Sequence, residues 1–303
     1  DIINPLKPQL VSSISHADSG YHTFLADETN GGYLYTVNRG QGLKIIDINN
    51  PAVPLISGGL AIEEARRVDV YGDKAYITSQ TGIHIVDISN KSAPSELGFF
   101  PLAEGKTWGY LGIKVKGNYA YTIQQEYYDA ELHIIDISNS STPTLLASLP
   151  VSLAEQIQIE GDYAYITQRS YGFGVIDISN PSQPVQITRL DTRSSYSDVS
   201  IIDGQAFLTR SNGFYIYDLR NIYTPSLTGA YNVSTDRAVS AVSKIGNYAA
   251  ITDSFPGVSM FDISAKLILD NNYHKAETES KLTYSVNWES DVAKEVKCAV
   301  VEG

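Results

Sequence analysis

The sequence predicts an all-β fold, a six-bladed β-propeller with four-stranded blades, on three observations. One phrase recurs six times at a period of about 43 residues, the length of a four-stranded propeller blade. Within each copy, strand-like runs alternate with Gly, Asn, Asp and Pro at fixed offsets. The chain also opens on a fragment that the sixth copy lacks, so its two ends complete one another.

The most regular part of the phrase is Leu43-Lys44-Ile45-Ile46-Asp47-Ile48, repeated as Ile83-His84-Ile85-Val86-Asp87-Ile88. Later copies carry Asp136, Asp177, Asp218 and Asp262 at the same place, and successive aspartates stand 40 to 49 residues apart. The fourth copy shows how one repeat is built. Residues 157–159 alternate like a half-buried strand, and Gly161-Asp162 forms a tight turn because Gly takes positive φ freely. A second strand, 163–167, is aromatic and β-branched. The third, 173–178, is continuously apolar, which implies burial on both faces, as when blades stack. Ser179-Asn180-Pro181 then breaks the ladder, since Pro has no N–H to donate, and 185–187 make the outer strand.

The ends bear on closure. Asp1-Ile2-Ile3-Asn4-Pro5 matches Asp177-Ile178-Ser179-Asn180-Pro181 in register, so residues 9–14 read as an outer strand with no blade of their own. The sixth copy stops after Asp262-Ile263 without its outer strand, and pairing the two would remove both sheet edges. The propeller is thus expected over 1–263. Residues 264–303 break the pattern; 282–288 and 296–301 read as a hairpin or the start of a truncated Ig-like domain, and a degenerate seventh blade is the alternative.

With 22 basic and 34 acidic residues the formal charge is -12. Such a surface repels phosphate backbones, so nucleic acid is not an expected partner. The single cysteine, Cys298, rules out an intramolecular disulfide framework and any cysteine-built zinc site. No stretch of about 18 apolar residues occurs, so no membrane insertion is expected. Asp1 opens the chain without an apolar leader, the form left when a signal peptide is removed, and Tyr, Asn, Ser and Thr are abundant. A secreted, periplasmic or cell-surface location is the expectation.

Copies such as Gly117-Asn118-Tyr119-Ala120-Tyr121 and Val175-Ile176-Asp177-Ile178-Ser179-Asn180-Pro181 resemble the LVIVD-repeat family. The resemblance spans about 1–263, and it implies a bacterial or archaeal secreted or cell-surface propeller. It implies no catalytic residue, because the family is not defined by one.

The six aspartates could suggest an acidic metal ring, but recurrence before every turn argues that each carboxylate accepts backbone N–H bonds and fixes that turn. Propeller ligands sit at the central mouth, where the positions that vary between repeats matter most. At the ends of the second strands these are Asn38, Ser79, Gln124, Gln168, Arg210 and Asp253, with Arg39 and Arg169 next in line. Just before the inner strands lie Asp18, Glu64, Arg66, Arg67, Trp108, Tyr110, Glu155, Tyr196, Asp198, Asp236 and Arg237. The expected ligand surface comprises Arg39, Arg66, Trp108, Tyr110, Gln124 and Glu155, with Arg169, Tyr196, Arg210, Asp236, Arg237 and Asp253. Arg forks onto carboxylates and Trp or Tyr stacks on sugar rings. The long, aromatic loop 124–131 and residues 106–110 make the third repeat a second candidate contact surface.

Two functions fit. The first is a binding or scaffold module presenting a rigid face to a protein or glycan, with no cofactor. The second is a calcium-dependent propeller hydrolase whose channel ion would use Asp18, Asn38, Asp198, Asp236 and Asp253. His16 and His22 have no zinc spacing, and no Gly-x-Ser-x-Gly, phosphate-loop or His-Glu-x-x-His motif occurs. Oligomeric state is not legible.

Overall fold

The computed structural model describes residues 11, 23–27, 32–127, 129–169, 172–190, 196–210, 213–232, 239–245, 248–253 and 258–263. The expected closing strand at 9–14 (residue 11 aside) and the expected hairpin or further domain at 264–303 lie outside them. Every regular element among the described residues is a strand, and no helix there is long and apolar enough to cross a membrane.

The strands form antiparallel sheets, each a run of consecutive segments joined by hairpins. The first sheet holds β1 (Thr23–Asp27), β2 (Tyr33–Asn38), β3 (Gly42–Asp47) and β4 (Leu55–Leu60). The second holds β5 (Arg67–Tyr71), β6 (Lys74–Thr78), β7 (Gly82–Asp87) and β8 (Ser95–Pro101). The third holds β9 (Tyr110–Lys116), β10 (Tyr119–Gln125), β11 (Asp129–Asp136) and β12 (Thr144–Ser152). The fourth, β13 (Ala154–Glu160), β14 (Tyr163–Gln168), β15 (Gly172–Asp177) and β16 (Val185–Leu190), reproduces the sequence reading with longer inner and outer strands. The fifth holds β17 (Asp198–Ile202), β18 (Gln205–Arg210), β19 (Gly213–Asp218) and β20 (Ser226–Asn232). The last has three strands among the described residues: β21 (Val239–Ile245), β22 (Tyr248–Asp253) and β23 (Val258–Asp262).

The sheets stack face to face, with β1, β5, β9, β13, β17 and β21 each packed on the next. Burial follows. The second and third strands are covered on both faces, while outer strands such as β8 carry exposed and half-buried side chains with none fully buried. Among the described residues five apolar clusters result, one between each pair of consecutive sheets. Tyr35, Val37 and Ile45 meet Val68, Ala75 and Ile77 at the first seam, and Tyr76 and Ile85 meet Ile113 and Ile135 at the second. Burying one such side chain contributes about 1.5–3 kcal/mol, so the seams are the main source of stability.

Two local devices recur. Each third strand whose outer strand is described meets it across a β-bulge just before the repeat aspartate, as between Ile45 and Ile46 and between Ile85 and Val86. The same irregularity follows Ile134, Val175 and Ile216. A bulge bends the outer strand and raises its twist, which blunts the exposed edge.

The second device is a double side-chain turn. Oδ1 of Asp47, Asp87, Asp136, Asp177 and Asp218 accepts the backbone N–H two residues on, at 2.8–2.9 Å. The Asn three residues later repeats the bond at 3.1–3.2 Å. Hydrogen bonds from the side chain and then the backbone N–H of Ser89, Ser138 and Ser179 hold the carboxyls of Asp87, Asp136 and Asp177 below the usual range. Asn180→Ala removes the acceptor for both Ser182 N and Ser182 Oγ. It is expected to lower stability by about 1 kcal/mol in urea unfolding, with Asn180→Asp, which keeps the acceptor, avoiding most of the loss.

These turns also seat between sheets. Eleven residues after the repeat aspartate the outer strands carry Gly58, Gly98, Ala147, Thr188 and Gly229. A Cβ at Gly58 would strike the Lys91 carbonyl oxygen, and one at Gly98 the Ser140 carbonyl oxygen. Both oxygens belong to the turn of the following sheet. At the fourth seam Thr188 Oγ1 donates to Ile222 O at 2.6 Å instead, so a larger residue is accommodated by bonding the turn.

Candidate channel-mouth site

One cleft, of about 330 Å³, opens where the second strands end and the inner strands begin. It is lined by Arg39 after β2, Ala65, Arg66 and Arg67 at the start of β5, Leu111 of β9, Glu155 and Gln156 of β13, Arg169 after β14, and Ser197 before β17. Five consecutive sheets therefore contribute to it.

Backbone bonds place the arginines. Glu64 N donates to Arg39 O at 3.0 Å, Arg66 N to Thr78 O at 2.8 Å, and Arg169 N to Leu153 O at 2.7 Å. Glu64 holds φ 52°, a left-handed conformation uncommon outside Gly. Its carboxylate lies 3.7 Å from Arg39 Nε, and Glu155 pairs with Arg169 Nη2. Arg66 Nη1 donates to the Trp108 carbonyl, and Arg67 Nη1 to Arg66 O at 3.1 Å. With its amide oxygen turned to the guanidinium, Gln156 accepts from Arg67 Nε and Nη2 at 3.3 and 3.1 Å.

The charges are crowded and partly desolvated. Burial lowers the Arg66 pKa, and repulsion from Arg39 and Arg67 adds to it against the pull of Glu64. Arg67 is lowered by burial, countered by Asp198 and Glu155. Within reach of Arg67, burial pushes the Asp198 carboxyl up to about 6, against backbone N–H bonds from Val199 and Val242 and the charges of Arg67 and Lys114. Asp69 is likewise raised by burial, although it accepts from Lys114 Nζ at 3.0 Å and Val115 N at 2.8 Å.

Of the residues expected at the mouth, Arg39, Arg66, Glu155 and Arg169 line this cleft. Others are placed elsewhere. Tyr110 and Tyr196 are core side chains, their hydroxyls meeting His133 Nδ1 and Tyr217 Oη at 3.3 Å each. Gln124 is buried and donates to Gln125 O at 2.8 Å, and Arg210 lies over the Tyr215 ring at 4.8 Å. Asn38 is buried with Oδ1 accepting Gln41 N at 2.6 Å. A second strand sandwiched between sheets keeps even its last side chain inside the stack, and at Arg39 and Arg169 it is the next residue that emerges. Asp18, Asp236 and Arg237 lie outside the described residues, as does the side chain of Asp253 at the end of β22. Among the described residues no three His, Cys, Asp or Glu gather as a metal-binding group.

The loop candidate in the third repeat forms an aromatic shelf. Trp108 and Tyr127 are 40% and 68% exposed with ring centroids 5.4 Å apart. Glu126 anchors it, accepting from Thr107 N at 3.2 Å and Thr107 Oγ1 at 2.9 Å.

One constellation mimics a catalytic triad: Ser79 Oγ lies 3.2 Å from His84 Nε2, and His84 Nδ1 lies 2.6 Å from Glu96 Oε1. Ser79 is 0% exposed, and its Oγ accepts from Thr81 N and Gly82 N at 3.2 and 3.1 Å. A nucleophile must reach a substrate, and this one is spent capping the β6–β7 turn.

The family model described as LVIVD repeat matches residues 28–60, 63–100, 105–150 and 153–192. No curated protein matches the chain. Among solved structures, the chain is similar to the Myceliophteria thermophila Cps50 (Swd1) β-propeller domain, at 11% identity and TM-score 0.64 over 78% of this chain and 80% of that one. It is also similar to a hypothetical selenium-binding protein from Sulfolobus tokodaii, at 14% identity and TM-score 0.59 over 74% and 67%. A protein from Lactobacillus plantarum is similar at 9% identity and TM-score 0.61, over 77% and 78%. At these identities the likeness is one of fold, a propeller.

Proposed function

The chain belongs to the LVIVD repeat family, and from that premise we propose that it is a non-catalytic binding or scaffold module acting outside the cytoplasm, as a secreted, periplasmic or cell-surface protein. In this reading it has six blades, with residues 9–14 filling the fourth place of the three-stranded last sheet. The channel mouth is the face offered to a protein or glycan partner.

One observation carries the reading: four of the chain's nine arginines converge on a single cleft although the chain's net charge is -12. Arg66 and Arg67 at the start of β5 and Arg39 and Arg169 directly after β2 and β14 are held beside strand ends, which limits the entropy lost on binding. The composition, rich in Tyr, Asn, Ser and Thr, supports the location outside the cytoplasm.

The test is capture by the immobilised full chain of extracellular proteins and glycans from its own source, repeated with Arg39→Glu/Arg169→Glu. A partner retained by the wild type is expected to bind the variant at least about tenfold more weakly, since reversing two rim charges makes attraction repulsion. Equal retention by both proteins would remove the mouth from the reading.

A further inference from the structure

We propose that the arginine cleft and the adjoining Trp108–Tyr127 shelf form a subsite for an acidic sugar, one hexuronic acid unit of a longer glycan. The carboxylate sits among Arg39, Arg66 and Arg169, and the pyranose ring lies on the indole of Trp108. This rests on the mouth being the binding face.

The two halves of the site are physically joined. Arg66 lines the cleft and its guanidinium donates to the backbone carbonyl of Trp108, so the residue that carries the indole is tied by one hydrogen bond to the cationic wall. The shelf is held from two further sides, by Glu126 on Thr107 and by Gln80 Nε2 on Thr107 O at 3.4 Å. It is therefore a fixed apolar plane beside a fixed positive pocket. A hexuronate matches both features within one rigid ring, a flat C–H face and a carboxylate on C5. An acidic peptide carries its carboxylates on flexible stems and offers no plane to the indole.

The energetics favour exchange. Arg39–Glu64 and Arg169–Glu155 are ion pairs with substantial exposure, and such pairs are worth about 0–1 kcal/mol. A ligand carboxylate can replace Glu64 or Glu155 at little cost, and a guanidinium fork binds it in two parallel bonds. It also relieves the repulsion among Arg39, Arg66 and Arg67. The volume of about 330 Å³ is near the lower end for small-ligand pockets, which suits a single sugar unit.

The probes are trisaccharides of galacturonate, glucuronate and mannuronate, titrated calorimetrically into the full chain, with the carboxyl-reduced neutral trisaccharides as controls. At least one uronate is expected to bind, its neutral counterpart not to bind, and binding to weaken in salt. Arg39→Gln/Arg169→Gln and Trp108→Ala are each expected to weaken it about tenfold or more, with unchanged melting temperatures because all three side chains are well exposed. If Trp108→Ala misfolds, Tyr127→Ala serves in its place. No uronate binding, equal binding of neutral and acidic sugars, or indifference to these variants overturns the assignment. A poly-glutamate peptide that binds with the same dependence on the variants, where uronates do not, overturns the sugar while leaving the mouth as the binding face. A captured partner indifferent to the same variants overturns both.

Discussion

Gly98→Ala is expected to destabilise the protein by about 3 kcal/mol, at the upper end of overpacking costs, although it adds a single methyl group. Gly98 sits in β8 opposite Ile85, and its φ is not positive, so its backbone conformation suits alanine. The obstacle is space. The new Cβ would run into the Ser140 carbonyl oxygen and lie 2.9 Å from Ser140 C and 3.0 Å from Ser141 Cα. These are backbone atoms of a turn clamped by Asp136 on Ser138 N, by Asn139 on Ser141 N and Oγ, and by Thr142 N on Asn139 O. The turn cannot move aside cheaply, so the whole second seam must open. Gly72→Ala separates this from backbone strain: at φ 60° with nothing within 4 Å of its Cβ, it should lose only about 1–2 kcal/mol. Urea midpoints at constant m-value measure both, and equal losses would show that the turn yields after all.

Asp198 sets the second large effect. Its folded-state carboxyl is raised to about 6 from 3.8, chiefly by burial, so the folded chain holds a proton that the unfolded chain has released. The stability from this group is complete below pH 3.8 and is lost as pH rises through about 6, and two pKa units correspond to about 3 kcal/mol. Asp198→Asn cannot ionise, yet it can still accept from Val199 and Val242. The stability difference between wild type and variant should therefore shift by about 2–2.5 kcal/mol in the variant's favour between pH 4 and pH 7. Asp87, Asp136 and Asp177 act with the opposite sign, contributing above the ordinary carboxylate range and losing that contribution in acid, and they are common to both proteins. Urea unfolding of the pair at several pH values reads the difference directly. A flat difference would mean that Asp198 does not titrate in this window.

The repeat was legible because turn chemistry is local: Gly161, Asp177 and Asn180 act on backbone within three residues of themselves. The strands followed from alternation and apolar runs for the same reason. The small residue at Gly58 and Gly98 stood in the sequence at a fixed offset, but its partner lies in the next repeat, and nothing local signals the contact. At the mouth, offsets from the strand ends located Arg39, Arg66, Glu155 and Arg169. Offsets do not say which way a terminal side chain points, so Tyr110, Tyr196 and Gln124 were grouped with them although they face the core. Gln156 and Ser197 were missed because their role depends on sheets meeting across the channel.

The five apolar clusters are separate, each shared by two sheets and no more. Substitutions at distant seams should then combine additively, whereas two at one seam should couple. Such a molecule can drift one joint at a time, with each loss answered next door. The mouth has no such freedom, because five sheets meet in it and a shift at any of their joints moves one of its lining residues against the others. Tolerance at the periphery and intolerance at the centre are both properties of how the cores are partitioned.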